Sequence, residues 1–370
     1  MFINRRASRL FVNNRSFQLK RQFLIGNHAD IPIVTAMKSH DFSSSRVLVT
    51  GGAGFIGSAL VWELNRRGCE DIVVCDILGT DEKWRNLTAL RFADYVEGDV
   101  LLPRLQAGAL GKFDLILHMG ACSATTERNA TYLIHNNYEF TKDLAAWALA
   151  KKTRFVYASS AATYGDGSAG MSDGGDLNTL RPLNIYGYSK QLFDLYAERA
   201  GILKNLVGLK YFNVYGPNED HKADMRSLVH KSFAQVKKEG VIRLFKSYRP
   251  DYKDGEQKRD FLYVKDAVAM TLHLAANKKA GGLFNIGSGA ARTWIDLANS
   301  VFAALGKKPK IEFIEMPETI RDKYQYFTQA DVSKLRAAGY REKITSLENA
   351  VADYVRNYLE PDKRLEPAVA

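Results

Sequence analysis

Cysteine is scarce in this chain. Three cysteines in 370 residues, Cys69, Cys75 and Cys122, form no C-x-x-C and leave an odd number. That argues against a disulfide scaffold and against a zinc site, so no metal is expected. It fits a reducing compartment, and the expected location is the cytoplasm. Long apolar runs are also missing. None approaches the roughly 20 residues that a membrane-spanning helix needs, so no membrane role is expected. Internal repeats, low-complexity tracts and a secretory apolar segment are absent as well. Acid is missing from the start of the chain: Arg5, Arg6, Arg9, Arg15, Lys20 and Arg21 come before Asp30, the first carboxylate. Much of the net charge of +11 therefore sits in this stretch. Elsewhere the signs are well mixed, with no basic stripe interleaved with aromatics, so a nucleic-acid partner is not expected. The basic stretch itself reads as an organelle transit peptide, as a disordered tail, or as an early start ahead of Met37; a tail is the simpler account.

What the chain does contain is an alternation of strand-like and helix-like segments. Apolar runs of strand type occur at 47–50, 72–76, 114–121, 154–165, 206–216 and 283–287. Helical spacing marks 137–152, 188–201, 293–306 and 346–360, where Leu347, Val351, Tyr354 and Tyr358 share a face. Strands alternating with helices imply a parallel sheet covered on both faces. The expected fold is α/β, a Rossmann-type doubly wound parallel sheet with a smaller C-terminal α/β substrate lobe. The expected boundaries are a tail over 1–44, the dinucleotide-binding domain over 45–215, the substrate lobe over 216–357 with 260–290 returning to the first domain, and a tail over 358–370.

The segment 50-TGGAGFIG-57 sets Gly51, Gly54 and Gly57 at intervals of three. The first glycine permits a tight turn, the second lets backbone approach a pyrophosphate, and the third lets helix pack close to strand. A helix N-terminus then offers free N–H groups to the anion. Such a triplet is weak evidence alone. Here it follows a predicted strand, opens a predicted helix, and has Asp76 ending the next strand, which is the context of a dinucleotide site. Asp76 would accept hydrogen bonds from the adenosine ribose, which suits NAD. Lys83 would meet a 2′-phosphate instead. The expected cofactor is NADP, with NAD as the alternative.

In 184-NIYGYSK-190, Tyr186 and Lys190 stand at i and i+4, one face of a helix. An ammonium beside a phenol is expected to lower its pKa from near 10, so that the tyrosine exchanges a proton with a substrate hydroxyl. Upstream, 159-SSAAT-163 ends a strand and offers Ser160 to the same oxygen. A Y-x-x-x-K pair alone is common by chance; the glycine turn upstream is what gives it meaning. Cys122 reads as a buried strand-end residue rather than a nucleophile, and His221 has no partner that makes it a base.

The combination of 50-TGGAGFIG-57, 159-SS-160 and 186-YGYSK-190 resembles the extended short-chain dehydrogenase/reductase group. Further stretches, 119-MGACSATTE-127, 211-YFNVYGPNEDHKADM-225, 258-KRDFLYV-264 and 324-YQYFTQADVSKLRAAGY-340, are similar to the ADP-glyceromanno-heptose 6-epimerases within it. The resemblance spans about 46–357. It implies an isomerase with bound nicotinamide that inverts C6 of an ADP-linked heptose through a 6-keto sugar, supplying heptose for lipopolysaccharide core. It also implies a homo-oligomer. Tyr186, Lys190 and Ser160 would then be catalytic, and Lys222 would be the second proton-transfer group. Gly51, Gly54, Phe55, Ile56, Gly57, Asp76, Ile77, Lys83, Gly120, Ala121, Cys122, Ser123, Asn136, Tyr186, Lys190 and Val214 would hold the cofactor. Ser160, Asn213, Asp224, Lys231, Phe245, Lys246, Ser247, Tyr248, Arg259 and Tyr324 would meet the sugar nucleotide.

Several positions depart from the pattern. Ala223-Asp224 replaces Gly-Ser after the His-Lys pair, and a carboxylate there is expected to raise the pKa of Lys222. Glu97-Gly98 stands where some relatives carry a lysine for the adenosine phosphate. The stretch 247–257 is longer than in some relatives. Two other readings compete: another nucleotide-sugar enzyme of the same fold, and a non-catalytic dinucleotide-binding protein. A 4,6-dehydratase would carry an acidic pair after Ser160, where this chain has 161-AATYG-165, and a 4-epimerase has no need of Lys222. A non-catalytic dinucleotide-binding protein would be free to lose Tyr186 or Lys190.

Overall fold

The computed structural model describes residues 41–321 and 324–367. The expectations for the basic N-terminal stretch lie outside the described residues.

Among the described residues twelve strands occur in chain order: β1 (Val47–Thr50), β2 (Ile72–Asp76), β3 (Asp94–Glu97), β4 (Leu115–His118), β5 (Arg154–Ser160), β6 (Val207–Tyr211), β7 (Asn213–Tyr215), β8 (Ile242–Phe245), β9 (Lys258–Tyr263), β10 (Gly282–Ile286), β11 (Ala291–Thr293) and β12 (Ile311–Ile314). Seven of them form one sheet in the order β10-β6-β5-β4-β1-β2-β3. Every pairing in it is parallel. The order runs outward in both directions from the β1–β4 pair, and a crevice opens there at the carboxyl ends of the strands, where such sheets take ligands.

The sheet is apolar on both faces, which is why its central strands read as continuous runs rather than alternations. Val47 and Val49 enter one core with the helices Phe55–Arg66 and Val264–Ala276. Leu48 enters the other, with Leu144, Ala145 and Ala148 of Phe140–Ala150 and Phe193 and Ala197 of Ile185–Arg199. The chain returns to this sheet late: β10 pairs with β6 at its edge. Beyond the sheet, β9 pairs with β7 in parallel and with β11 antiparallel, and β8 pairs with β12.

Two segments differ from the sequence reading for local reasons. The expected strand 206–216 breaks at Phe212: β6 stays in the main sheet and β7 leaves it to pair with β9. The expected helix 137–152 is preceded by a short helix, Ala130–Leu133, and a π-turn over Ile134–Glu139. A π-turn inserts a residue into the helical ladder and re-aims its neighbours. Here it carries Asn136 and Asn137.

Candidate active site

The glycine turn sits in the crevice. Gly51 adopts φ +65°, and a Cβ there would lie 2.6 Å from the Gly120 nitrogen. A Cβ on Gly57 would overlap the Gly51 carbonyl oxygen. The turn after β1 and the turn after β4 therefore touch, and only glycine allows it. Gly54 caps the helix Phe55–Arg66 with no side-chain partner, leaving N–H groups of the first turn open to an anion.

Asp76 closes the turn from β2. Its Oδ2 accepts the Ala53 and Gly54 N–H groups at 2.9 and 3.1 Å. Its Oδ1 accepts the Ile77 N–H at 2.8 Å and pairs with Lys83 Nζ at 3.1 Å. Beside it the Tyr95 hydroxyl donates to Glu97 and to the Asp76 carbonyl.

Two adjoining cavities occupy the crevice. One, of about 530 Å³, is lined by Gly51, Gly54, Phe55, Ile56, Gly57, Asp76, Lys83, Gly120, Ala121, Cys122, Ser123 and Val214. The same cavity is lined by Ser160, Tyr186, Lys190 and Lys222. The other, of about 520 Å³, shares Asp76 and Lys83 and adds Ile77 and Asn136. Every residue expected to hold cofactor or to carry the chemistry thus faces one crevice. Asn213, Asp224, Lys231, Phe245, Lys246, Ser247, Tyr248, Arg259 and Tyr324 line neither cavity. Part of this set forms a cation-aromatic cluster elsewhere. Arg259 lies 5.6 and 5.0 Å from the ring centroids of Trp294 and Tyr324, and Arg321 lies 4.1 Å from that of Tyr248. Lys246 pairs with Glu315. Lys231 donates to the Asp224 carbonyl.

Tyr186 and Lys190 lie on the helix Ile185–Arg199, whose Asn184 cap accepts the Gly187 N–H. Ser160 and Tyr186 line the same cavity. The expected lowering of the phenol pKa is not found. Burial pushes Tyr186 up, and Ser160 only partly offsets it. Lys190 is 5% exposed, and burial lowers its pKa to about 8, against the opposing pull of Asp194. On the buried face of this helix, Asp194 accepts from Tyr157, Ser159 and Lys210, all buried.

Lys222 comes from the 3₁₀ turn Asp220–Met225, a loop with Ala223 at φ +45°. Its ammonium lies 4.9 Å from the Phe55 ring centroid. Burial lowers its pKa. The carboxylate expected to oppose this was Asp224. The structure assigns that part to Glu219, which is buried while Asp224 is exposed, and Lys231 works with burial. His221 beside it is lowered to about 4, chiefly by burial, and stays neutral.

A buried relay was not legible in the sequence. Asn137 accepts the Cys122 N–H, and its amide donates to the Cys122 carbonyl and to Ser189. Ser189 donates to the Tyr186 carbonyl. His118 touches Thr50 Oγ1 through Nδ1 at 2.6 Å and Thr141 Oγ1 through Nε2 at 2.8 Å. Thr141 donates to the Asn137 carbonyl, so its oxygen accepts from His118. The His118 proton is therefore on Nε2, Nδ1 accepts from Thr50, and Thr50 accepts the Gly120 N–H. This relay ties the crevice floor to the helix that carries Tyr186. Cys122 is only half-buried and faces the cavity rather than the core.

A half-buried phenol with a serine and an ammonium, and a second ammonium on a separate loop, share this cavity. Such a set can move protons at two points around one bound sugar. Residues 47–287 match the family model described as NAD dependent epimerase/dehydratase family. The ADP-L-glycero-D-manno-heptose-6-epimerase of Nitratidesulfovibrio vulgaris strain DP4 is 54% identical over 314 residues, 84% of this chain and 97% of its own. The enzyme of that name from Fusobacterium nucleatum is 45% identical over 85% of this chain and 98% of its own. The crystal structure of the Helicobacter pylori ADP-L-glycero-D-manno-heptose-6-epimerase matches with a TM-score of 0.73 at 27% identity, over 86% of this chain and 97% of that one. Thermus thermophilus UDP-glucose 4-epimerase complexed with NAD matches with a TM-score of 0.67 at 27% identity, over 84% of this chain and 99% of its own. The chain belongs to the NAD dependent epimerase/dehydratase family.

Proposed function

We propose that this chain is an isomerase, an ADP-L-glycero-D-manno-heptose 6-epimerase acting on ADP-linked heptose. The observation that carries the reading is Lys222: an ammonium, partly desolvated, in the same cavity as Tyr186, Ser160 and Lys190. Relatives 54% and 45% identical over most of their length carry that enzyme's name.

The residues fit a nicotinamide cofactor, because the glycine turn is closed to any Cβ and its helix N-terminus is uncapped. Bound there, the nicotinamide supplies the hydride acceptor and donor. Tyr186, in the cavity with Ser160, exchanges the O6 proton on one side. When the 6-keto sugar turns about its C5–C6 bond, its oxygen moves to the other side, and a second proton group is needed there. Lys222 takes that part, since burial brings its amine toward the range where it both accepts and donates a proton. Lys190 shares the cavity with the phenol, and Asp194 on the same helix opposes the loss of its charge. The Arg259–Tyr324–Trp294 cluster suits the ADP phosphates and adenine.

The adenosine end favours NAD over NADP. Among the described residues, Lys83 is the cation facing Asp76 and is already paired with it, and Glu97 lies close by. A 2′-phosphate would add negative charge where carboxylates outnumber cations. The reading includes a cytoplasmic setting, a homo-oligomer and a role in supplying heptose to lipopolysaccharide core.

The test is NMR of ADP-D-glycero-D-manno-heptose incubated with the enzyme. Inversion at C6 with no external cofactor consumed is expected. An unchanged sugar, or loss of water from it, would sink the reading. Titration of cofactor-stripped protein should show tighter binding of NAD than of NADP.

A further inference from the structure

The loop that carries Lys222 has little regular structure of its own. Between β7 and the helix Leu228–Glu239 it makes a 3₁₀ turn with a non-helical residue inside it, and Asn218 sits at φ +77°. What holds it is borrowed from elsewhere. Asn218 is fully buried; its amide donates to Ser58 Oγ at 3.0 Å, and its carbonyl accepts from Asn86. Glu219 accepts the Ser227 N–H and hydroxyl.

A third anchor comes from the far end of the chain. The Leu365 side chain is fully buried, and its N–H donates to Asn218 Oδ1 at 2.9 Å. Arg364 Nε meets Asp220 Oδ2 at 3.3 Å, while Asp220 Oδ1 meets His230. The Glu366 carbonyl accepts from Trp62 Nε1 at 3.0 Å, on the helix that follows the glycine turn. The segment thus grips the loop two and four residues before Lys222 and fastens itself to the cofactor-side helix.

We propose that residues 362–367 are a positioning strap, which sets Lys222 in the crevice through Asn218 and Asp220. Without the segment, Asn218 Oδ1 loses its backbone donor inside a buried site, where an unpaired acceptor is costly. The loop then relaxes to find another partner. Displacements of about an ångström at a reacting group can cost on the order of 100-fold in rate, so a small relaxation is enough. Relaxation also exposes the Lys222 ammonium to water. The charged groups around it are Glu219, which favours the ammonium, and Lys231, which opposes it, with His221 neutral alongside.

The inference rests on the proposed epimerase reading, and its test separates the two. The full chain is compared with a variant ending at residue 361, with Arg364→Ala, and with Arg364→Lys. Truncation should lower kcat on the order of 10- to 100-fold, with KM nearly unchanged and cofactor retained. Arg364→Ala should lower kcat less, and Arg364→Lys should restore part of it. The pH limb due to Lys222 should move to higher pH in the truncated form, which a general loss of stability would not cause. Amide hydrogen exchange over 216–226 should speed up in both weakened variants. Unchanged kcat and pH limb, or unchanged exchange over 216–226 after truncation, would overturn the strap. If the full chain leaves ADP-heptose untouched, the epimerase reading fails, and the exchange measurement alone decides the strap.

Discussion

Replacing Lys222 with methionine tests the two-group mechanism most directly. Methionine keeps the length and apolar stem of lysine, so the contact with Phe55 survives and only the amine is lost. The cation–π term removed is about 0.5–1 kcal/mol at a partly exposed site. Removing a partly desolvated charge offsets it, so the melting temperature should barely move. Catalysis should respond differently. Loss of one positioned proton-transfer group costs on the order of 10²–10⁴ in rate, about 3–5 kcal/mol at 1.36 kcal/mol per decade. The loss should appear in kcat with KM little changed, because the amine acts on the moving proton rather than on the bound ground state. The assay is NMR of the C6 proton signals under enzyme excess, so that product release does not mask the chemical step. The rate should rise with pH as the Lys222 amine is freed of its proton, below the ordinary lysine value of about 10.4, because burial lowers it. Methionine should abolish that limb. A Lys222→Met enzyme within about threefold of wild type would remove Lys222 from the mechanism, and with it the distinction from a single-tyrosine 4-epimerase.

Three further outcomes follow from the same geometry. Gly57→Ala should abolish cofactor binding, since the new Cβ overlaps the Gly51 carbonyl; retention of NAD in equilibrium dialysis would contradict the close-packed turn. Asp194→Asn strips the Lys210 ammonium of its buried counter-charge and should cost about 3–5 kcal/mol in urea unfolding. A loss under 1 kcal/mol would show that the pair is not sealed from water. His118 is held neutral, its pKa lowered to about 3 by burial and by the Lys190 charge. The unfolded imidazole titrates near 6.5, so between about pH 6.5 and 3 the unfolded chain binds the extra proton. Stability should therefore fall as pH drops through that window, by up to about 1.4 kcal/mol per unit from this group. Replacing His118 with asparagine should flatten urea midpoints between pH 7 and 5, and an unaltered slope would refute the assignment.

The central fold was legible because its signals are local. A strand buried on both faces needs an apolar run, and β1, β2 and β4 each begin with one. Edge strands do not. β3 reads D-Y-V-E with only Val96 buried, and β12 reads I-E-F-I with no residue fully buried. Their place is set by pairing, which composition does not encode. The break at Phe212 is hidden for the same reason: β6 (V-G-L-K-Y) and β7 (N-V-Y) follow on with no turn signal between them, and only the capture of β7 by β9 separates them.

The site divides along the same line, between spacing and encounter. Gly51, Gly54 and Gly57, and Tyr186 with Lys190, are fixed by short intervals along one element, so the sequence displays them. Spacing reports the Lys190 neighbour of Tyr186 but not the burial of its phenol, and burial is the larger effect and raises its pKa. Lys222 could be placed only by resemblance, because nothing periodic marks a 3₁₀ turn interrupted at Ala223. Its surroundings are assembled from Phe55, Glu219 and Lys231, and its loop from Ser58, Asn86 and Leu365, spread over most of the chain. Asp224, two residues away in sequence, was the obvious carboxylate to suspect, yet Glu219, three residues away and buried, is the one that acts on the amine. A carboxylate perturbs its neighbour through distance and desolvation, and sequence separation fixes neither in an irregular loop.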